Sequence, residues 1–379
     1  MPLESPSPRD VTKLFSPAAF GARRLKNRLV MAPMTRCKSP GHVPNETNVE
    51  YYRRRAAGGV GLIITEGTTV GHPAANGYPD VPTFQGDSAL MGWCALAKAV
   101  HAEGVAIIPQ LWHVGSVRQP GTQPDPSVPG YAPSSVLHPS LLGKAGATPP
   151  RELSEGDIAD IIEAFASAAA AAERAGFDGV EVHGAHGYLI HQFFAGRTNQ
   201  RSDRYGGGPQ QRTRFAVEIV RAIRGRVAPG FPVCLRFSQW SLGDYALRLV
   251  DSPAALESWL APLSAAGVDV FHASTRRFDE PEFGGSPLTL AGWTRKLTGK
   301  PVMTVGSVGL DSDFIAAFDG ASARTARIDR LLERLERDEF DLVVLGRALL
   351  ADPDWPEKLR TGRFSDIAAF EQEHLQQYP

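Results

Sequence analysis

The chain has 379 residues with 40 basic and 41 acidic side chains, a formal charge of −1. A nucleic-acid binder that neutralises phosphates, or a polybasic membrane anchor, would need a clustered basic excess that is absent here. Hydrophobic residues at 42% and charged residues at 21% are globular values that allow a sizeable core. Gly (38) and Pro (30) exceed their usual shares of about 7% and 5%, so loops are many or long. Cys37, Cys94 and Cys234 lie far apart, with neither a disulfide framework nor a paired zinc spacing, as expected of reduced thiols in a cytosol. MPLESPSPRD at the N-terminus has no basic n-region or apolar h-region, and no window approaches about 18 consecutive apolar residues. A soluble, cytoplasmic protein with no membrane partner is the expectation.

Residues 28–34 form the first of eight short apolar runs. A helix is expected next, capped by Thr47 or Asn48, running through Arg55 and stopped by Gly58 and Gly59. The second run, 61–65, precedes a helix from near Ser88, and the third is 106–111. Residues 115–150 are too Pro-rich for a helix and too long for an ordinary connection, and read as a lid. Ser154 opens a long Ala-rich helix with Asp157 in its first turn, ending near Ala175 and Gly176. Runs at 179–182, 233–237, 268–273, 301–305 and 342–346 follow, with helices expected from near Pro209, Pro253, Leu288 and Asp311. Residues 274–287 make a second excursion, and 324–339 read as an amphipathic seventh helix.

Non-alternating runs rich in Val, Ile and Leu suit strands buried on both faces of a parallel sheet. Strand then helix, eight times, predicts an α/β fold of (β/α)8 barrel type as a single domain over 1–379, with a doubly wound sheet as the alternative. In such a barrel the residues after each strand converge on one site. The strands end in Pro33-Met34-Thr35, Glu66-Gly67-Thr68, Gln110 to His113, His183 to Tyr188, Arg236, His272, Gly306-Ser307 and Gly346-Arg347.

The last two ends suit a phosphate, with backbone N–H groups and an Arg as donors, or are turn glycines beside a solvated Arg347. Gln110 and Arg236 suit the polar edge of a planar heterocycle, or form an internal network with Arg236 paired to Glu66. His183 and His186, followed by Tyr188, can aim two donors and a phenol at one substrate. They also allow a structural role, or a metal with His113, His272 or Glu181 as a third ligand, although the spacing matches no established zinc or facial-triad motif.

With these residues in view the chain resembles the Old Yellow Enzyme family of FMN-dependent ene-reductases from Leu14 to about Lys358. The motifs are LKNRLVMAPMTR at 25–36, PQLWHVG at 109–115, GFDGVEVHGAHGYLIHQF at 176–193, TNQRSDRYGG at 198–207, CLRFS at 234–238, VGSVG at 305–309 and LGRALLADPDW at 345–355. The resemblance implies non-covalent FMN and NADPH or NADH as reductant. Pro33, Met34, Thr35 and Gly67 would contact the flavin ring, Gln110 and Arg236 its pyrimidine edge, and Gly306, Ser307, Gly346 and Arg347 its phosphate. The substrate would be an electron-poor alkene, an α,β-unsaturated carbonyl or nitro compound. His183 and His186 would hold its activating oxygen, Tyr188 would supply a proton, and Trp112 would shape its orientation. Thr35 stands where a thiol-bearing subgroup has Cys. Ala195-Gly196 and the segments 238–245 and 274–285 depart from the family pattern in expected pocket walls. Arg276 and Arg277 could reach a nicotinamide's phosphate, or be neutralised by Asp279, Glu280 and Glu282. The rival readings are a metal-dependent barrel hydrolase or isomerase and a flavin-binding protein without turnover.

Overall fold

A computed structural model describes residues 10–378, so the N-terminal stretch read for a leader lies almost wholly outside them. The eight apolar runs form the strands β1 (Leu29–Met31), β2 (Leu62–Thr69), β3 (Ala106–Trp112), β4 (Val180–His186), β5 (Val233–Ser241), β6 (Val270–Ser274), β7 (Val302–Val305) and β8 (Leu342–Leu345). Each pairs in parallel with its sequence neighbours, and β8 pairs with β1, which closes a barrel. Alternate residues divide two ways. Val30, Leu62, Ile64, Ile108, Val270, Met303 and Val344 fill the barrel interior, while Leu29, Met31, Ile63 and Ile107 pack outward on the helices. A hairpin that the sequence reading missed, Ala18–Phe20 with Arg23–Leu25, puts Ala18, Phe20 and Leu25 into the interior cluster.

Five strands, β2 to β6, end past their apolar runs because backbone pairing continues where those runs stop. β2 extends to Thr69 across a register shift between Ile64 and Gly67, and β4 extends to His186 across one between Gly184 and His186. The histidine pair therefore lies in the strand, whereas the sequence reading put it beyond. β1 is shorter than expected, since Pro33 has no N–H to donate and strand pairing stops before it.

The first helix, α1 (Glu46–Ala57), is capped by Asn45, and Asn48 is its N3 partner in a capping box, which corrects the expected cap. Ser154 opens α2 (Glu155–Arg174) as expected, and Asp157 in its first turn completes a capping box with it. After β7 the expected helices are cut down to α3 (Phe314–Phe318) and α4 (Asp329–Glu336). The intervening backbone is held extended: Ala323 exchanges two hydrogen bonds with Phe370, and Asp311 N donates to Arg324 O.

Residues 115–150 contain no α-helix. Their order comes from Arg118, fully buried, whose guanidinium donates to the carbonyls of Asn76, Thr122, Gln123, Asp125 and Val128. Buried His138, its pKa lowered to about 4 chiefly by desolvation, stays neutral. It accepts from Ser140 N and donates through Nε2 to Gly187 O at 3.0 Å, which ties this segment to the turn after β4.

Candidate active site

A cavity of about 670 Å³ opens where the strands end. Its wall includes Pro33, Met34 and Thr35 after β1, Gln110 and Trp112 of β3, and His183, His186 and Tyr188 of and after β4. Arg236 of β5, Gly306 and Ser307 after β7, and Gly346 and Arg347 after β8 complete the set. Of the residues given a flavin or substrate role from the family resemblance, Gly67 alone stands back from this wall. A Cβ there would meet Trp112 Cε3 at 2.4 Å, so its missing side chain makes room for the indole.

Below the cavity the buried Glu181 accepts from Gln110 Nε2 at 2.8 Å and pairs with His272 Nδ1 at 2.7 Å. These bonds and the charge of Arg236 outweigh desolvation and hold the Glu181 carboxyl below its ordinary pKa, as an anion. Arg236 faces that charge, and its bonded partner is Ser274 Oγ at 3.2 Å. The alternative pairing of Arg236 with Glu66 is absent: Glu66 instead accepts from the backbone of Arg36 and Cys37 at 2.9 and 3.4 Å. Desolvation raises the Glu66 pKa to about 7.

The histidine pair is uncharged. Burial first, then the Arg236 guanidinium, pushes both imidazoles well below their usual pKa. Their ring centroids are 5.2 Å apart with planes at 83°. His186 has φ of 64°, an unusual conformation for a residue with a side chain, at the register shift that ends β4. The shift re-aims its ring, a common use of such irregularities beside active sites. Tyr188 lies 5.0 Å from His183, ring to ring, and edge-on to Trp112 at 4.8 Å. Desolvation holds its phenol well above the usual value, so it keeps its proton.

Several residues enter the site that sequence reasoning did not name. Tyr78, from the loop after β2, brings its hydroxyl to 3.1 Å from that of Tyr188 and stacks on Trp112. Trp240 stacks on His186 at 4.5 Å, and Cys37, Tyr245, Ser274, Phe314 and Leu375 also face the cavity. Trp240 and Tyr245 fall in one of the two segments that depart from the family pattern, and Ser274 opens the other. Arg276 is paired with Asp313 at 2.5 Å, a partner outside the expected acidic cluster, while Arg277 lies 3.8 Å from Asp279 as expected.

Three cationic side chains of this wall have buried N–H groups without a partner among the described residues, Arg36 Nε, Arg236 Nε and Arg347 Nη1. Buried donors of this kind call for acceptors on a ligand. Gly306, which lines the cavity, has φ of 146° and no room for a Cβ, which would meet Phe278 N and Thr275 O at 2.8 Å, so glycine is required at this turn. An anion with a polar planar edge fits this donor set. Among the described residues, no three His, Cys, Asp or Glu side chains group so as to hold a metal ion.

A closed parallel barrel with such a donor set at its strand ends suits a flavin-dependent oxidoreductase. The model of the NADH:flavin oxidoreductase / NADH oxidase family matches residues 13–366. The chain is 34% identical over 353 residues to 12-oxophytodienoate reductase 2 of Arabidopsis thaliana, covering 92% of this chain and 88% of that one. It is 35% identical over 366 residues to an NADH oxidase of Thermoanaerobacter brockii, covering 93% of this chain and about half (52%) of that longer protein. A structure of morphinone reductase in complex with tetrahydroNAD superposes with a TM-score of 0.77 at 32% identity, covering 97% of each chain. The chain belongs to this flavin oxidoreductase family, the Old Yellow Enzyme family, whose cofactor is FMN and whose reductant is a nicotinamide.

Proposed function

We propose that the chain is an ene-reductase that uses NADH or NADPH to reduce electron-poor alkenes, α,β-unsaturated carbonyl or nitro compounds. The observation that carries the reading is the pair of neutral imidazoles beside a phenol that keeps its proton, all on one cavity wall. FMN, when bound, supplies the hydride chemistry that connects the nicotinamide to the alkene. Pro33, Met34 and Thr35 would contact its ring, Gln110 and Arg236 its pyrimidine edge, and Gly306, Ser307, Gly346 and Arg347 its phosphate. Gly67 contributes by seating Trp112.

His183 and His186 donate hydrogen bonds to the substrate's carbonyl or nitro oxygen, which draws electron density out of the double bond. Neutral rings suit this task, since each offers a donor without a second proton to lose. Tyr188 Oη holds the proton that the α-carbon receives, and Trp112 fixes which face of the alkene is presented. Residues 115–150 act as a lid: Ser140 lines the cavity, and His138 anchors the segment beside Tyr188. Among the described residues no helix is long and apolar enough to cross a membrane, and the three unpaired thiols suit the cytoplasm.

An anaerobic panel of enones, nitroalkenes and quinones with both nicotinamides, with products identified by chromatography, tests the proposal. Saturated ketone or nitroalkane is the expected product. A protein that oxidises nicotinamide with quinones or oxygen while leaving every enone and nitroalkene unchanged would refute it.

A further inference from the structure

We propose that Ser274 is a positioning residue: its hydroxyl accepts from Arg236 and donates to Nε2 of His186, confining His186 to the tautomer that carries its proton on Nδ1. The assignment follows from counting donors and acceptors. Ser274 Oγ lies 3.2 Å from Arg236 Nη2 and 2.8 Å from His186 Nε2. A guanidinium only donates, so the serine oxygen is the acceptor in the first contact. Ser274 is 2% exposed, and among the described residues its hydroxyl proton has no acceptor other than His186 Nε2. If His186 donated through Nε2, that proton would be buried without a partner, the arrangement folded proteins avoid. Donation from Ser274 to Nε2 gives the serine proton an acceptor, gives His186 Nε2 a donor, and leaves the serine oxygen free to accept from Arg236 Nη2.

The remaining contacts restrain both ends of this chain. Trp240 lies flat on the His186 ring, with planes 19° apart, and its Nε1 donates to Ser274 O at 3.1 Å. Backbone N–H of His186 donates to Ser238 Oγ at 3.0 Å. His186 Nδ1 has no hydrogen-bond partner among the described residues, and the ring lines the cavity. His183 is set the opposite way: its Nδ1 accepts a weak contact from Ala185 N at 3.4 Å, which leaves its proton on Nε2. Two rings in opposite tautomers thus offer two N–H groups to one acceptor. Ser274 also links the residue proposed for the flavin edge to the residue proposed for the substrate oxygen. That anchoring role rests on the function proposed above; the tautomer does not.

Nitrogen NMR of the 15N-histidine-labelled, FMN-loaded protein tests the assignment, with the His186 signals identified by their loss in His186→Asn. In wild type Nε2 should show the shift of an unprotonated ring nitrogen and Nδ1 that of a protonated one. Ser274→Ala should move the proton toward Nε2, and Ser274→Thr, which keeps the hydroxyl, should restore the wild-type pattern. Phenol titration followed by its long-wavelength charge-transfer band gives a second readout. If only a fifth to a tenth of His186 retains the Nδ1–H form in Ser274→Ala, affinity falls by the same factor, about five- to tenfold, with Ser274→Thr within about twofold of wild type. A protonated Nε2 in wild type, or an unchanged proton distribution or phenol affinity in Ser274→Ala, would overturn the inference. A wild type with no phenol band would overturn the oxygen-anchoring reading instead, with the nitrogen shifts still deciding the tautomer.

Discussion

Replacing Tyr188 by Phe removes one oxygen, and the structure sets the size of the effect on each of two readings. The hydroxyl has one hydrogen-bonded neighbour, Tyr78 Oη at 3.1 Å, and the ring is 9% exposed against Trp112 and His183. Phe fills the same volume, so the structural loss is that neutral hydrogen bond, about 0.5–1.5 kcal/mol net. As a wall residue Tyr188 could therefore account for at most about a tenfold change in rate. As the proton donor it accounts for about 10²–10⁴-fold, the usual worth of a general acid. Stopped-flow absorbance should show reduction by nicotinamide little changed, reoxidation by an enone slowed by at least about a hundredfold, and reoxidation by a quinone spared, because its product oxygens take protons from water. A melting temperature near that of wild type shows that the fold is intact. An enone rate within about tenfold of wild type refutes the assignment of the proton to Tyr188.

Arg347→Ala should weaken FMN retention on dilution or gel filtration while leaving the fold intact, because a half-buried cation beside Gly346, with one buried N–H that has no partner among the described residues, is lost; undiminished retention would place the phosphate elsewhere. Gly67→Ala forces a Cβ against the Trp112 ring and should cost about 1–3 kcal/mol by denaturant titration, with altered enone stereochemistry as the ring moves. Glu66 binds its proton more tightly when folded, with a pKa of about 7 against an ordinary 4.5, so its contribution to stability is favourable at low pH and is lost as pH rises from about 4.5 to 7. Two and a half units correspond to about 3 kcal/mol, and Glu66→Gln should remove that slope from melting temperature against pH; an identical slope in the two proteins would refute it.

Local chemistry carried much of this protein. Apolar runs such as 106–111 and 342–346 have no way to satisfy both faces except inside a parallel sheet, so eight of them with helices between specify a barrel before any contact is known. The polar residues that end those runs, from Pro33 to Arg347, were legible as one site because barrel closure brings strand ends together whatever the loops do. Local rules failed where a distant partner outweighed them. Helix-compatible residues at 323–325 are extended because Phe370 and Leu310 bond their backbone. Pairing across the Gly184 register shift carried β4 on to His186, past the point where its apolar run ends.

The cavity wall shows the same division. Residue identity determined which groups can donate, accept or hold a proton, and strand order determined that His183, His186, Arg236 and Arg347 share a cavity. Distances decided the rest: that Glu66 serves the backbone of Arg36 and not Arg236, that Arg276 pairs with Asp313, and that Tyr78 reaches Tyr188 from a loop 110 positions away. Hydrogen bonding and desolvation depend on separations of about 3 Å between side-chain atoms. Separations that fine follow from how the helices, bulges and loops pack around the barrel, and linear spacing along the chain carries no record of them.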